Sequence, residues 1–377
     1  MKTITNIFCL TLFLSFFWSF SQNQNLPSDG KAVKTDNPLQ SELDLEVDKY
    51  VKKYYEDSKA VGLSIGITVK GKDYYYNYGQ LEYGKQVLPD NKTIYEIGSI
   101  TKTFTGILTA QAILDKKIGM EDDIRKYLPE NYSNLQYNNH PIKIVNLTNH
   151  TSRITRIFPN LYERPDYIEL NPFSNYSKKM FYEGLKNMKM DTLPGVKYTY
   201  SNMAVNLLGY ILEDVYHESY FSLVRKYILK PLQMNNTTVS LADADKNNIT
   251  KAHNSNREVT PYWDFIELVG TGELRSNTSD MIKYIKANIA GNQLNISLSH
   301  KYTFEGEEGS LGLNWFFHTT KNGNIMYEHT GGTGGSRSSV EFFPGLQSGF
   351  IILTNSLANR KILEKDLSEL VEKVSSK

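Results

Sequence analysis

The stretch YEIGSITKTFT, residues 95–105, joins a strand-like run to a helix-like run and carries a serine and a lysine three positions apart. Side chains at this spacing on a helix project from one face, so the amine of Lys102 can reach the hydroxyl of Ser99. We interpret the two residues as a nucleophile with its own base. The spacing is weak evidence by itself, because Ser28 and Lys31 repeat it in a polar N-terminal stretch.

Residues 1–21 have the pattern of a cleavable signal peptide. Lys2 precedes an apolar run over residues 7–20, and the small residues Ser19 and Ser21 suit cleavage by a signal peptidase. The run is too short to span a bilayer. We therefore expect an exported protein, periplasmic or secreted, without stable membrane insertion after cleavage. Cys9 would leave with the signal, so the mature chain would have no disulfide, no thiol nucleophile and no thiolate zinc site.

Composition limits the class of partner. The chain has 42 basic and 41 acidic residues, and this balance argues against nucleic acid or a membrane surface as a partner. Six histidines lack metal-ligand spacing and are interpreted as polar loop or surface residues: His140, His150, His217, His253, His300 and His318. We expect no metal and no organic cofactor, and we predict no oligomeric state.

Strand patterns lie at both ends of the chain, and helix patterns lie between them. A capping signal from Ser41 to Asp44 predicts a first helix. Alternating apolar residues predict an early hairpin and four late strands, at 61–69, 74–78, 311–318, 325–329, 340–343 and 349–354. Helical spacing is found in the middle of the chain and again at its end, at 103–115, 203–216 and 362–374.

These elements predict the domain organisation. Residues 22–40, which include Pro27 and Pro38, are interpreted as a linker. For residues 41–377 we predict one catalytic domain of the α+β class. Its antiparallel sheet is built from both ends of that range, flanked by the N- and C-terminal helices, and it carries an inserted, mainly helical part. The boundaries we expect are 41–100 and 255–377 for the α/β part and 101–254 for the helical part.

A second candidate nucleophile lies in the early hairpin. The stretch GLSIG, residues 62–66, fits the nucleophile elbow of α/β-hydrolases and would make Ser64 the nucleophile. That elbow requires the strand to end at the serine. Here the apolar alternation continues to Val69, so we interpret the stretch as a strand with small residues on one face.

Two further motifs lie downstream of Ser99. Tyr200-Ser201-Asn202 opens a helix-like segment, so a phenol and an amide two residues apart can face one cleft. His329-Thr330-Gly331-Gly332 closes a strand, where glycines let backbone amides approach a substrate. Each motif alone has a structural explanation, as a helix cap, a core aromatic or a turn.

Taken in order, the three motifs resemble those of the serine β-lactamase and penicillin-binding protein superfamily, in its class C β-lactamase-like branch. Further stretches look like landmarks of that family: His150-Thr151-Ser152, residues 272–276 and residues 344–355. The resemblance covers nearly all of the mature sequence and implies the β-lactamase/transpeptidase-like fold. It also implies a serine hydrolase that cleaves amide or ester bonds through an acyl-enzyme, without metal or organic cofactor, in a small-molecule or peptide substrate.

The resemblance assigns a role to each motif. Ser99 would form the acyl-enzyme, Lys102 would activate its hydroxyl through a depressed pKa or a proton relay, and Tyr200 would be the general acid/base. The backbone N–H groups of Ser99 and Gly332 would form the oxyanion hole. Substrate binding would fall to four residues: Asn202, His329, Thr330 and Gly331.

Two departures from the family pattern bear on the substrate and the site. β-Lactamases of this branch usually carry lysine at the position of His329, whereas several DD-peptidases, D-amino-acid peptidases and esterases carry histidine. Arg153 stands where glycine often follows His-Thr-Ser, so the sequence leaves the shape of that loop open. An unperturbed imidazole has a pKa of about 6.5, so His329 is expected to make the rate change with pH in that region.

These departures set the expected substrate. We expect D-amino-acid peptides or cell-wall-like substrates, cleaved as by a DD-peptidase. Hydrolysis of β-lactams or small esters is the alternative. A second alternative, from a different class, is a penicillin-binding module that is acylated but does not turn over.

Overall fold

The computed structural model describes residues 33–241, 248–307 and 309–376. The predicted signal peptide, the Ser28 and Lys31 pair and residues 22–32 of the predicted linker therefore lie outside the described residues. In the part of the chain that is described, no helix is long and apolar enough to cross a membrane.

The described residues form helices and strands in an order that matches the predicted α+β class. The helices are α1 (Glu42–Asp57), α2 (Thr101–Leu114), α3 (Ile144–Thr148), α4 (Lys178–Asn187), α5 (Asn202–Tyr216), α6 (Tyr220–Val224), α7 (Lys230–Leu232), α8 (Thr278–Ala290), α9 (Leu294–Ser299) and α10 (Lys361–Ser375). The strands are β1 (Gly62–Val69), β2 (Lys72–Gly79), β3 (Tyr95–Glu96), β4 (Gln136–Tyr137), β5 (His140–Pro141), β6 (Ala252–His253), β7 (Val259–Thr260), β8 (Arg275–Ser276), β9 (Phe304–Gly306), β10 (Gly309–Leu311), β11 (Phe316–Thr319), β12 (Ile325–Gly332), β13 (Arg337–Phe343) and β14 (Ser348–Thr354).

One eight-stranded antiparallel sheet organises the fold, with strand order β2-β1-β14-β13-β12-β11-β10-β9. The early strand β1 lies between its hairpin partner β2 and the late strand β14, and Ile65 is paired with Ile352 across that junction. The two ends of the chain therefore meet inside one sheet. This confirms the prediction that the sheet is built from both ends of the domain.

Helices cover both faces of this sheet. On one face α1 and α10 share an apolar core with the sheet, in which Val47 and Leu367 are fully buried with Ile67. On the other face α8 packs against β1, β13 and β14, and its core is continuous with that of the helical part. The predicted terminal helices are confirmed as the cover of one face. Strand β1 is buried along seven of its eight residues, GLSIGIT, because both faces are covered.

The first helix is fixed to the sheet by its own capping residues. Ser41 and Asp44 form the predicted capping box at the start of α1. The Asp44 carboxylate also accepts a hydrogen bond from the Tyr76 hydroxyl on β2 at 2.8 Å. One short sequence signal therefore starts the helix and attaches it to the strand.

Part of the predicted linker belongs to the sheet edge. The Gly79 N–H donates to the carbonyl of Lys34 at 2.8 Å, and the Asn77 N–H donates to the Asp36 carboxylate at 2.7 Å. The Asn37 side chain is buried and donates to the Tyr78 hydroxyl at 2.7 Å. The linker interpretation is therefore wrong for these residues, because a polar segment can still pair with the free edge of a strand.

The late strand predicted at 311–318 is also wrong as a single strand. It divides into β10 and β11, and the residues between them leave the sheet. Leu313 N–H donates to the Ser299 carbonyl at 2.8 Å and Asn314 N–H to the Thr148 carbonyl at 2.9 Å. The Trp315 side chain is fully buried. Long-range partners in α9 and α3 thus override the local strand pattern.

Candidate active site

The nucleophile candidate lies where α2 begins beside the end of β12. A 3₁₀ turn over Gly98–Ile100 carries Ser99 directly into α2. Gly98 has φ of +50°, and a Cβ there would lie 2.6 Å from the nitrogen of Gly332. Only glycine fits this position, because a side chain would clash with the neighbouring backbone. This approach brings the backbones of Ser99 and Gly332 into one corner.

Lys102 meets Ser99 as the spacing predicted. Its Nζ lies 3.0 Å from the Ser99 Oγ and donates to the carbonyl of Thr271 at 2.7 Å. The side chain is fully buried, and burial lowers the pKa of Lys102, while Tyr200 and Glu273 oppose the shift. An amine with a lowered pKa beside a hydroxyl can accept that hydroxyl's proton.

A buried carboxylate holds the loop that contacts Lys102. Glu273 accepts backbone hydrogen bonds from Gly270 at 2.6 Å, Thr271 at 3.1 Å and Gly272 at 3.0 Å. Burial raises the pKa of Glu273, and these N–H groups act against that rise. The turn they form presents the Thr271 carbonyl to Lys102. Sequence reasoning marked residues 272–276 as a landmark but missed this role of Glu273.

Tyr200 directly precedes Ser201, the N-cap of α5, and lies beside Lys102. Ser201 caps α5, with its hydroxyl accepting from the Ala204 N–H and donating to the Thr155 carbonyl at 2.8 Å. The Tyr200 ring centroid lies 5.2 Å from the Lys102 Nζ. The N-cap therefore fixes the phenol beside the amine.

His150 is a site residue that sequence reasoning placed wrongly. Its imidazole is fully buried, with its ring centroid 4.4 Å from that of Tyr200. The Ser201 N–H donates to its Nδ1 at 3.2 Å, so Nε2 carries the ring proton. Burial lowers the pKa of His150 well below its ordinary value, with Lys102 adding to the shift. The only signal was its place in the His-Thr-Ser landmark.

His253 and His300 likewise depart from the surface interpretation. His253 is fully buried, and its Nδ1 lies 3.0 Å from the Asn355 carbonyl. His300 is partly buried, and its Nε2 lies 2.9 Å from the Asn288 side-chain oxygen. Both rings serve packing. Among the residues that the structure describes, no group of three or more His, Cys, Asp or Glu could hold a metal ion.

His329 faces the site from β12 as a neutral imidazole. It is 3% exposed, and its Nδ1–H donates to the Thr330 carbonyl at 2.8 Å. The Nε2 atom is therefore an acceptor, and it has no hydrogen-bond partner among the described residues. Burial lowers the pKa of His329 to about 3, and a proton on the nearby Lys102 would lower it further. A change of rate near pH 6.5, as expected from the sequence, would therefore not come from His329.

The end of β12 supplies backbone to the same corner. A Cβ on Gly331 would lie 2.0 Å from the Ile97 carbonyl oxygen, so only glycine fits. The Ser338 hydroxyl donates to that carbonyl at 2.7 Å and ties β13 to the turn before Ser99. The glycines of the third motif therefore allow β12 to lie against the nucleophile turn. The predicted oxyanion pair, Ser99 and Gly332, lies on the two sides of this contact.

Two cavities open on Ser99. The larger cavity has a volume of about 860 Å³ and is lined by Tyr200, His329, Thr330 and Gly331. A second cavity of about 240 Å³, the aromatic pocket, is lined by Asn202 and by five aromatic side chains: Tyr162, Tyr167, Phe173, Trp263 and Phe265. Every predicted site residue except Lys102 lines one of these two cavities, and the buried Lys102 contacts Ser99 from behind. Together they bring a hydroxyl, an amine, a phenol and backbone N–H groups to one place, as acyl transfer requires.

Ser64 takes no part in this site. It lies in the middle of β1, is fully buried, and its hydroxyl is 2.9 Å from that of Tyr95. The strand interpretation of residues 62–66 is confirmed, because β1 runs on to Val69.

Arg153 replaces the expected glycine while keeping a glycine-like backbone. Its φ is +64°, in the left-handed region. Its guanidinium donates to Asp191 at 2.9 Å and also to the Thr199 hydroxyl, beside Tyr200. The loop therefore keeps the left-handed turn and gains a side-chain link to the residue before Tyr200.

Comparisons with known proteins agree with this geometry. The family model described as Beta-lactamase matches residues 47–372. The D-alanyl-D-alanine-carboxypeptidase/endopeptidase AmpH of Escherichia coli K12 is 25% identical over 350 residues, covering 87% of this chain and 89% of AmpH.

Solved structures share the fold. A β-lactamase/D-alanine carboxypeptidase from Yersinia pestis has a TM-score of 0.77 at 22% identity, over 88% of this chain and 97% of its own. A class C β-lactamase has a TM-score of 0.73 at 22% identity, over 86% of this chain and 95% of its own. Because the family match extends over most of its length, the chain belongs to the β-lactamase family, whose members are serine hydrolases.

Proposed function

We propose that this chain is an exported serine hydrolase that cleaves D-amino-acid peptides or cell-wall-like amides through an acyl-enzyme on Ser99. The observation that carries the chemistry is the 3.0 Å approach of the buried Lys102 amine to the Ser99 hydroxyl. Burial favours the neutral amine, which is the form that accepts a proton. The Thr271 carbonyl occupies one N–H of Lys102, which leaves the nitrogen lone pair for the serine.

Acylation then follows from the positions of the groups. The Ser99 Oγ attacks the carbonyl carbon as its proton moves to the Lys102 Nζ, and the developing oxyanion is held by the Ser99 and Gly332 N–H groups. When the C–N bond breaks, Tyr200 gives its proton to the leaving nitrogen. The proton on Lys102 returns to Tyr200, so the resting protonation is restored. In the second half, Tyr200 passes its proton to neutral Lys102, and the resulting phenolate accepts a proton from the water that attacks the ester carbon. When the bond from that carbon to the Ser99 Oγ breaks, the Oγ takes the proton from Lys102, which restores the resting protonation.

Two observations support a peptide substrate. The third motif presents neutral His329 in place of the lysine usual in β-lactamases, so it adds no positive charge to the larger cavity. AmpH, which matches over most of its length, is named as a D-alanyl-D-alanine carboxypeptidase and endopeptidase. β-Lactam hydrolysis is the second candidate, favoured by the family match itself.

A covalent probe tests the chemistry. A fluorophosphonate should add its mass to the peptide that contains Ser99, and Ser99→Ala should abolish the label. Ser64→Ala is the matched control and should label like the natural chain. Labelling at Ser64, or labelling that persists in Ser99→Ala, would contradict the proposed nucleophile.

A substrate panel tests the class. A peptide ending in D-alanyl-D-alanine should be cleaved faster than its L,L diastereomer and faster than a chromogenic cephalosporin. Faster cephalosporin hydrolysis would favour the β-lactamase candidate. Labelling by penicillin without turnover of any substrate would favour the non-hydrolytic module.

Export rests on the sequence of residues 1–21. After expression with its leader, the mature protein should be recovered outside the cytoplasm with its N terminus at or near Gln22. An intact Met1 on the exported product would contradict the proposed cleavage.

A further inference from the structure

Two cavities meet at Ser99, so the two sides of the scissile bond can each occupy one of them. Tyr200, which protonates the leaving nitrogen in the proposed reaction, lines the larger cavity and does not line the aromatic pocket. The leaving group must therefore extend into the larger cavity. The aromatic pocket, which also opens on Ser99 and Gly332, is left for the acyl arm. This division rests on the proposed function.

The aromatic pocket is a firmly built cavity. The buried guanidinium of Arg164 donates to the carbonyls of Leu161 at 3.1 Å, Pro172 at 2.8 Å and Ser174, which fixes the segment that carries three of its aromatic rings. Phe173 lies 4.9 Å from Phe265 and 5.2 Å from Trp263, measured between ring centroids.

Polar clamps hold the opposite wall. Asn171 and Asp264 exchange two hydrogen bonds, at 2.8 Å and 2.9 Å. The Trp263 N–H donates to the buried Glu96 carboxylate at 2.9 Å, three residues before Ser99. The pocket is therefore preformed around the nucleophile, and its lining combines the aromatic rings with about as much polar surface.

One cation lies between the two cavities. Arg156 lines both of them, and its guanidinium carbon is 5.0 Å from the centroid of the Tyr200 ring. The Arg156 carbonyl accepts a hydrogen bond from the Asn202 N–H at 3.2 Å, which fixes its backbone to the start of α5. Its side chain is exposed and makes no hydrogen bond or ion pair with the described residues. The neighbouring Arg153 and Arg164, in contrast, are held by protein oxygens.

We propose that Arg156 and the aromatic pocket form a subsite for an acyl arm that is apolar and carries a carboxylate close to the scissile carbonyl. The apolar part packs against the rings of the pocket, and the carboxylate pairs with the guanidinium. A guanidinium presents parallel N–H groups that match both oxygens of a carboxylate.

Two matched substrates test the carboxylate. Peptides that differ only by D-glutamyl or D-glutaminyl as the acyl residue should differ in kcat/KM by about 3- to 10-fold in favour of the carboxylate, as for a bidentate pair with an exposed guanidinium. In Arg156→Gln this ratio should fall close to one. Lys361→Gln, which removes one exposed charge at the rim of the larger cavity, is the control and should keep the ratio.

A second pair of substrates tests the pocket. Phenylacetyl and acetyl amides of one D-amino acid should show a preference for the phenylacetyl group, and Phe265→Ala should reduce it about tenfold. If the natural chain lacks the preference for glutamyl or lacks the preference for phenylacetyl, the proposed subsite is wrong.

An alternative role for Arg156 is to stabilise negative charge on the neighbouring Tyr200 oxygen during the reaction. In that case Arg156→Gln would slow both peptides equally and would shift the pH profile of kcat, with the glutamyl ratio unchanged. That result would overturn the subsite while leaving the acyl-enzyme intact. If a fluorophosphonate fails to label Ser99 in the natural chain, the proposed function itself fails.

Discussion

The reaction centre and the wall of the aromatic pocket each bury a cationic side chain, and they satisfy it in opposite ways. Lys102 is fully buried, which lowers its pKa, and it bonds one carbonyl besides Ser99. Arg164 is 6% exposed and bonds three backbone carbonyls. An ammonium can release its proton when desolvated, whereas a guanidinium stays charged and must be fully paired. Lysine therefore suits the chemistry, and arginine suits the support.

The largest expected effect comes from exchanging the two kinds of cation. Lys102→Arg should lower kcat by about 10²–10⁴-fold, because a guanidinium cannot accept the Ser99 proton. Single-turnover acylation with a D-alanyl-D-alanine peptide measures this. Lys102→Ala should lose a similar factor, which separates the loss of the base from the added bulk. A Lys102→Arg enzyme within tenfold of the natural rate would remove the contrast between the two residues.

A change at Arg164, in the wall of the aromatic pocket, should affect the stability of the fold. Arg164→Gln leaves buried carbonyls without donors and should lower the free energy of unfolding by about 2–4 kcal/mol in urea denaturation. Arg125→Gln is the matched control, because Arg125 pairs with Asp123 on the partly exposed surface. It should cost less than about 1 kcal/mol. Equal losses in the two variants would contradict the structural role of Arg164.

Glu273 is a buried carboxylate that both supports a turn and acts on the charge state of Lys102. When ionised it raises the pKa of Lys102. Glu273→Gln removes that charge, so the pKa of Lys102 should fall further. The rate needs neutral Lys102 and is lost as pH falls below that pKa, so the acidic limb of the kcat profile should move to lower pH.

The shift of the acidic limb distinguishes two roles of Glu273: an effect of its charge on Lys102, and support of the loop by hydrogen bonds. We also expect kcat at neutral pH to fall about tenfold, because the turn that presents Thr271 loses part of its hydrogen bonding. A lower rate with an unmoved acidic limb would show that Glu273 acts through the shape of the loop alone.

The smallest effect concerns the backbone of Arg153. Arg153→Gly and Arg153→Ala both lose the bonds to Asp191 and Thr199. Only alanine must still hold a left-handed φ with a Cβ, so the glycine variant should be more stable by about 1 kcal/mol in thermal or urea unfolding. An alanine variant of equal or greater stability would show that the loop relaxes on losing the arginine.

The same contrast explains what the sequence could predict. The hairpin of β1 and β2, the α1 capping box and the Ser99 to Lys102 contact all follow from residues close in sequence, so periodicity and spacing were enough. The division of residues 311–318 depends on Ser299 and Thr148, and the burial of His150 depends on Tyr200. Such contacts across the fold leave no local pattern. The wall around Arg164 was missed for the same reason, because three carbonyls have no sequence signature.

The protonation of Lys102 tests the central claim most directly. In protein labelled with ¹³C at lysine Cε, the Lys102 resonance, assigned by its loss in Lys102→Arg, should titrate below the other lysines and correspond to the neutral amine in the pH range of activity. Exposed lysines titrate near 10.4. A Lys102 signal that titrates together with them would contradict a neutral amine as the base for Ser99.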